Sequence, residues 1–166
     1  MNSTPKSTKS AGPVLALDLG SKSVGVAVSD DLLITIKRLN PIKRSSWKQL
    51  LVNVRDLVER FDAKTLVIGL PLALDGSRTN AALEAQHLGR NFGRSLHLPV
   101  YLQDERLTSF EATQTLREAG HSNTQIRKLV DGEAAALILR DFLNSTAEEQ
   151  QTRLLDPQKI DPKEND

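Results

Sequence analysis

The chain has 166 residues and a mass of 18.3 kDa, the size of one ordinary domain, and dividing it would leave two pieces with poor surface-to-volume ratios. With 39% hydrophobic and 26% charged residues, and no apolar run near the roughly 18 residues a bilayer span requires, it is not collagenous, membrane-spanning or wholly disordered. The absence of Cys excludes a disulfide framework, thiolate zinc sites and thiol nucleophiles, and 22 basic against 21 acidic residues leave a formal charge of +1.

Residues 1–13 carry Lys6 and Lys9, no acid and no apolar segment, so they have no secretory signal core and are expected to form a flexible N-terminal tail in a cytoplasmic protein. Val14-Leu-Ala-Leu-Asp-Leu19 lies between Gly12-Pro13 and Gly20 and reads as a strand buried on both faces, with Asp18 near its C-terminal end. Val24 to Ser29 follows as its hairpin partner, and Asp30-Asp31 turns the chain into a third strand over Leu32 to Leu39. From Ser46 the period becomes helical, with Trp47, Leu50, Leu51, Val54, Leu57, Val58 and Phe61 on one stripe. The stretch from Lys37 to Lys64 holds eight basic residues against Asp56, Glu59 and Asp62, a net +5. It suits either a phosphate-facing patch or a solvated helix face.

Thr65 to Gly69 reads as a short apolar strand stopped by Pro71, and Thr79 to Leu96 as a helix weakened by Gly89 and Gly93. Pro99 to Gln103 reads as a strand with Asp104-Glu105-Arg106 at its end. Ser109 to Glu118 reads as a helix, and Asp131 to Leu143 as a last helix presenting Ala134, Ala135, Ile138 and Phe142 inward. Residues 147–166, with six acids and three bases, are expected to be a flexible acidic C-terminal tail. The domain is therefore expected over 14–146. A meander followed by alternating strands and helices predicts an α/β three-layer fold, a mixed five-stranded sheet of order 3-2-1-4-5 flanked by helices.

Ligands of such sheets gather beyond the carboxyl ends of the parallel strands, where Asp18 and Glu105 are expected to arrive. Asp131 opens the last helix, on the face that meets the sheet. Taken singly, Asp18 can accept bonds at the Gly20 turn, Glu105 can pair with Arg106, and Asp131 can be a helix N-cap. Asp18 stands apart, because a carboxylate in an apolar central strand is costly unless a cation or hydrogen bonds compensate it. Three convergent carboxylates repel one another unless divalent ions neutralise them, and hard oxygen ligands without Cys or clustered His favour Mg²⁺ or Mn²⁺. Two such ions roughly 3.5 to 4 Å apart form a clamp for phosphodiester displacement, so the combination suggests a nuclease. Competing chemistries are weak. Gly69 to Ser77 has no Walker lysine, His87, His97 and His121 are scattered, Ser21, Ser23 and Ser29 lack triad partners, and six aromatics do not make a stacking platform.

Leu17-Asp-Leu-Gly-Ser-Lys-Ser-Val-Gly-Val-Ala-Val-Ser-Asp30, Ile68-Gly-Leu-Pro-Leu-Ala-Leu-Asp-Gly76, Asp104-Glu-Arg-Leu-Thr108 and Arg127-Lys-Leu-Val-Asp131 together resemble the YqgF family. The likeness covers about 14–144, with the four blocks in the family's order. It implies a ribonuclease H-like fold related to RuvC-type Holliday junction resolvases and a metal-dependent endonuclease acting on precursor 16S rRNA in ribosome biogenesis. It implies Asp18, Glu105 and Asp131 as catalytic metal ligands, and Lys22, Arg106, Thr108, Arg127 and Lys128 near the nucleic acid. The family usually has Ser after the last aspartate, where this chain has Gly132. Glu133 and Asp104 also leave open which acids reach the metal. The alternatives are a Holliday junction resolvase acting on branched DNA, which needs a two-fold dimer rather than a monomer, and a non-catalytic RNA-binding module. Asp18-Leu-Gly-Ser also resembles the phosphate loop of actin-like ATPases, but 166 residues cannot supply the second lobe.

Overall fold

The computed structural model describes residues 9–105 and 114–159, with the backbone alone at 123–124 and 126–132. Strands β1 (Val14–Leu19), β2 (Ser23–Ser29) and β3 (Ile36–Lys43) pair antiparallel in sequence, while β4 (Thr65–Leu70) and β5 (Val100–Asp104) extend the sheet parallel to β1. The spatial order is β3-β2-β1-β4-β5, as expected.

Strand alternation splits the core in two. Leu15 and Leu17 of β1 pack with Leu66 and Ile68 against α1 (Trp47–Phe61) and α2 (Asn80–Leu96). Val14 and Ala16 pack with Ala27, Val67 and Tyr101 against α3 (Asn123–Leu143), through Ala135, Ile138, Leu139 and Phe142. With apolar cover on both faces, residues 14–17 are fully buried, which is why this strand is a continuous apolar run. Ser46 caps α1 and Thr79 caps α2, each accepting from a backbone N–H three residues on.

Several boundaries differ from the sequence expectation. β3 starts at Ile36 rather than Leu32, because Asp30 captures the turn: its Oδ1 accepts from Ile34 N at 2.7 Å and Thr35 N at 3.0 Å. These two bonds, that of Thr35 foremost, hold the Asp30 carboxyl below its ordinary range. The strand then runs through Pro41 to Lys43, tolerable because β3 is an edge. α3 begins at Asn123, not Asp131. Ser122 and Gln125 form a reciprocal capping box, and Asp131-Gly132, which resembles a helix start, sits in the helix interior. Of the helix expected over 109–118, residues 114–118 are helical and the remainder lies outside the described residues.

The C-terminal tail expected from 147 is structured as far as it is described. Thr146 caps a short helix, α4 (Ala147–Thr152). Leu154 then bridges antiparallel to Tyr101, with Leu102 N donating to Arg153 O at 2.9 Å and Leu155 N to Val100 O at 2.8 Å. This satisfies the otherwise open edge of β5. Leu155 Cδ1 lies 2.6 Å from where a Cβ would stand on Gly89, so the glycine in α2 makes room for the segment. Residues 9–13 are likewise tied down: Gln150 Oε1 accepts from Ser10 N and Oγ at 3.0 and 3.2 Å, and Thr65 Oγ1 donates to Ala11 O at 2.6 Å. Among the described residues, no helix is long and apolar enough to cross a membrane.

Candidate active site at the carboxyl edge of the sheet

Asp18 follows Val14 and Ala16 in alternation and so falls on the α3 side of the sheet. Its cross-strand partner on β2 is Gly25, and on β4 the residue after the Leu17–Ile68 pair is Gly69. Glycine on both flanks leaves space around the carboxylate. Glu105 comes directly off β5, its N–H donating to Leu70 O at 3.2 Å and so prolonging the parallel ladder by one residue. It shares the α3 side with Tyr101. Its carboxyl lies over Gly69, where an added Cβ would stand 2.9 Å from Glu105 Cδ and 2.7 Å from Ile138 Cδ1.

The Glu105 carboxyl is largely buried, and its Oε2 has no hydrogen-bond partner among the described residues. Burial is the main reason its pKa is pushed up to about 9; the Asp18 charge, a side-chain hydrogen bond to Asp18 and the Asp104 charge raise it further. The two carboxyls are hydrogen-bonded to each other, and that contact favours the protonated form of Glu105. Asp104 adds its charge from the opposite face of β5, where alternation places it. An orphaned oxygen, a displaced proton and a second carboxylate in one crevice fit a divalent cation, which would neutralise what the proton now neutralises.

The last helix places residue 131 four positions before Ala135 and seven before Ile138, both buried against the sheet. Position 131 thus lies on the sheet-facing side, in mid-helix, and does not cap a helix. Its side chain lies outside the described residues, and among those residues no three acidic, His or Cys groups form a metal cluster. Glu133 is committed elsewhere: Arg38 of β3 donates to it from Nε at 2.7 Å and Nη2 at 3.0 Å. This bidentate pair turns it toward the β3 flank. Gly132 is inside the helix, so no helix-start hydrogen bond depends on a hydroxyl there.

Lys22 is exposed in the β1–β2 turn at the same sheet edge. Arg127 and Lys128 lie in the first two turns of α3, with side chains outside the described residues, as are Arg106 and Thr108 altogether. Two supporting residues were not foreseen. Arg44 donates from Nη1 to Gly20 O at 2.9 Å and pairs with Glu84 of α2, bracing the turn that follows Asp18. Arg153 donates from Nη1 to Gln103 Oε1 at 2.8 Å, two residues before Glu105. Neither has a local sequence signal: one is a single cation in a basic stretch, the other sits in what reads as a tail.

A protein of Lactobacillus johnsonii named "Putative pre-16S rRNA nuclease" is 40% identical over 137 residues, covering 80% of this chain and 96% of that protein. A protein of the same name from Thermosynechococcus vestitus is 37% identical, covering 87% of this chain and 97% of the other. Among solved structures, RuvC of T. thermophilus in complex with a Holliday junction substrate superposes with a TM-score of 0.48 at 16% identity, covering 78% of this chain and 92% of that one. Residues 12–145 match the family model described as RuvX, Holliday junction resolvase, and the chain belongs to that family.

Proposed function

We propose that the chain is a metal-dependent endonuclease that trims the 5′ end of precursor 16S rRNA in the cytoplasm. The observation that carries this reading is the hydrogen-bonded pair of Asp18 and Glu105 at the carboxyl edge of the central parallel strands, with Glu105 Oε2 buried and without a partner among the described residues. The curated relatives carry the precursor-rRNA nuclease name. Asp18, Glu105 and Asp131 would hold Mg²⁺ or Mn²⁺. Bound there, a divalent ion supplies charge neutralisation and an activated water for in-line attack on phosphorus. The chain's own part is positional. Gly25 and Gly69 keep the crevice open around Asp18, Arg44 fixes the Gly20 turn, and Ile138 walls off the buried side of Glu105. Glu105 must give up its proton before its carboxylate can serve as a ligand. Lys22, Arg106, Thr108, Arg127 and Lys128 would meet substrate phosphates, with RNA as the partner and no membrane.

The family's description favours a second reading, cleavage of four-way DNA junctions by a symmetric homodimer. Both are tested by incubating wild type and Asp18→Asn with Mg²⁺ or Mn²⁺, an end-labelled 16S precursor 5′ fragment and, in parallel, a four-way junction. RNA cleavage abolished in Asp18→Asn with folding intact is expected. Cutting restricted to the junction selects the resolvase, and tight RNA binding with no metal-stimulated cleavage selects a non-catalytic RNA-binding module.

A further inference from the structure

The family model ends at residue 145, yet the chain continues as a folded segment along β5. Between this extension and α2 lies a half-open cavity of about 380 Å³, whose walls include Leu70, Arg78, Gln86 and Arg90 from the domain and Asp156 and Lys159 from the extension. Three features distinguish it from ordinary charged surface. Arg90 and Gln86 are each only 6% exposed, so a guanidinium and an amide are built into its wall. Gln86 Oε1 is buried with no hydrogen-bond partner among the described residues, an acceptor awaiting a donor. Its one acidic lining residue, Asp156, already accepts from Gln158 N at 2.9 Å, and Arg153, which also borders the cavity, directs Nη1 to Gln103 and Ser145. Arg78, Arg90 and Lys159 therefore give the cavity a net positive charge.

Its position is as informative as its charge. The Leu70 side chain lines the cavity, while the Leu70 carbonyl accepts from Glu105 N at 3.2 Å. The cavity and the carboxylate pair thus lie on opposite faces of the same strand end. A polynucleotide crossing the carboxyl edge of the sheet at Asp18 and Glu105 has a cationic recess beside its path.

We propose that this cavity is a phosphate-binding subsite, assembled by the C-terminal extension, which holds a backbone phosphate flanking the bond presented to the carboxylates. It rests on the nuclease reading for its substrate. Arg78 and Lys159 supply exposed cations at its mouth, Arg90 a fixed guanidinium in its wall, and Gln86 an acceptor for a hydroxyl or a phosphate-held water.

The test measures binding rather than cleavage. A labelled short single-stranded RNA is titrated into the full chain carrying Asp18→Asn, in metal-free buffer over a range of salt, and into the same chain with Arg78→Ala and Lys159→Ala added. Each phosphate contact on a single strand contributes a slope of about 0.7 in log affinity against log salt, so the two substitutions are expected to lower the slope by about 1.4 and the affinity at decimolar salt by about 25-fold. Arg90→Met, if folded, weakens binding further. Lys9→Ala, which removes the bond from Lys9 Nζ to Leu143 O, leaves slope and affinity unchanged. Unaltered slope and affinity in the double variant, or no RNA binding by its parent, overturns the subsite. So does binding of inorganic phosphate, lost in the double variant, while RNA affinity stays the same, because the cavity would then serve the free ion. The nuclease reading fails separately, through absence of Asp18-dependent cleavage by the otherwise unaltered chain.

Discussion

Glu105 holds its proton more tightly in the folded chain than in the unfolded one, and this sets the direction of a pH dependence. Between its ordinary value of 4.5 and the folded value of about 9, the folded state keeps a proton that the unfolded state has released. Stability is then greatest below that window, falls as pH rises through it and levels off above it. Thermal midpoints of the metal-free protein are expected to drop steadily from about pH 5 to about pH 9, and Glu105→Gln, which keeps a neutral donor toward Asp18, flattens the profile. Identical profiles for the two proteins would show that Glu105 is ionised throughout. Addition of Mg²⁺ near pH 8 should raise the midpoint of wild type more than that of Glu105→Gln, since only the carboxylate can exchange its proton for the ion. Gly69→Ala probes the same crevice sterically. The new methyl meets the Glu105 carboxyl and Ile138 Cδ1, both ends of flexible side chains, so the backbone stays and the site yields. The expected cost is about 1 kcal/mol in stability, with a loss of cleavage far larger than that cost explains; retained full activity would place the working carboxylates elsewhere.

At the scale of elements, α3 carries Asp131, proposed above as the third ligand, and its start is fixed by the Ser122–Gln125 capping box. Ser122→Ala is expected to cost about 1 kcal/mol, or about 2 to 4 °C in the thermal midpoint at this chain length, as read by calorimetry; an unchanged midpoint would mean the first turns of α3 add nothing to stability. That start was hidden in the sequence because Asp131-Gly132 imitates a cap and a break, whereas the true signal, Ser122 three residues before Gln125, precedes polar residues. The strands were far easier to read. Residues 14–17 and 66–68 are apolar without interruption because helices cover both faces, and Asp18 stands out against that background for the same reason. Its closeness to Glu105 followed from sheet order, since both strands deliver their C-terminal ends to one edge. The proton held on Glu105 did not: it depends on the burial that Gly69 permits, and a glycine in a strand carries no local mark of what rests on it. β3 slipped by four residues because the two backbone bonds to Asp30 Oδ1 are a side-chain event that apolar periodicity does not register.

For the molecule as a whole, the C-terminal extension closes the sheet on the side where β5 would otherwise be an open edge. It is hard to recognise in sequence because its composition is that of a solvated tail and Leu154-Leu155 is its one apolar pair. Two backbone hydrogen bonds to β5 and the seating of Leu155 against Gly89 nevertheless hold it. Leu155→Ala is expected to cost about 2 kcal/mol, within the range for a partly buried leucine, and to lower the midpoint by about 4 to 8 °C. Arg153→Ala should behave differently. It removes the bonds to Gln103 Oε1 and Ser145 Oγ while leaving the Arg153 carbonyl, and so the ladder to Leu102, in place. The end of β5 then keeps its backbone but loses the side-chain brace two residues before Glu105. Cleavage per bound substrate should fall while RNA affinity changes little, and the midpoint should drop by about 2 to 4 °C because the buried Gln103 Oε1 loses its donor. Equal losses in both variants would mean that the extension acts only as a prop for the sheet, whereas separated losses would show that the chain beyond the family's boundary helps to position Glu105.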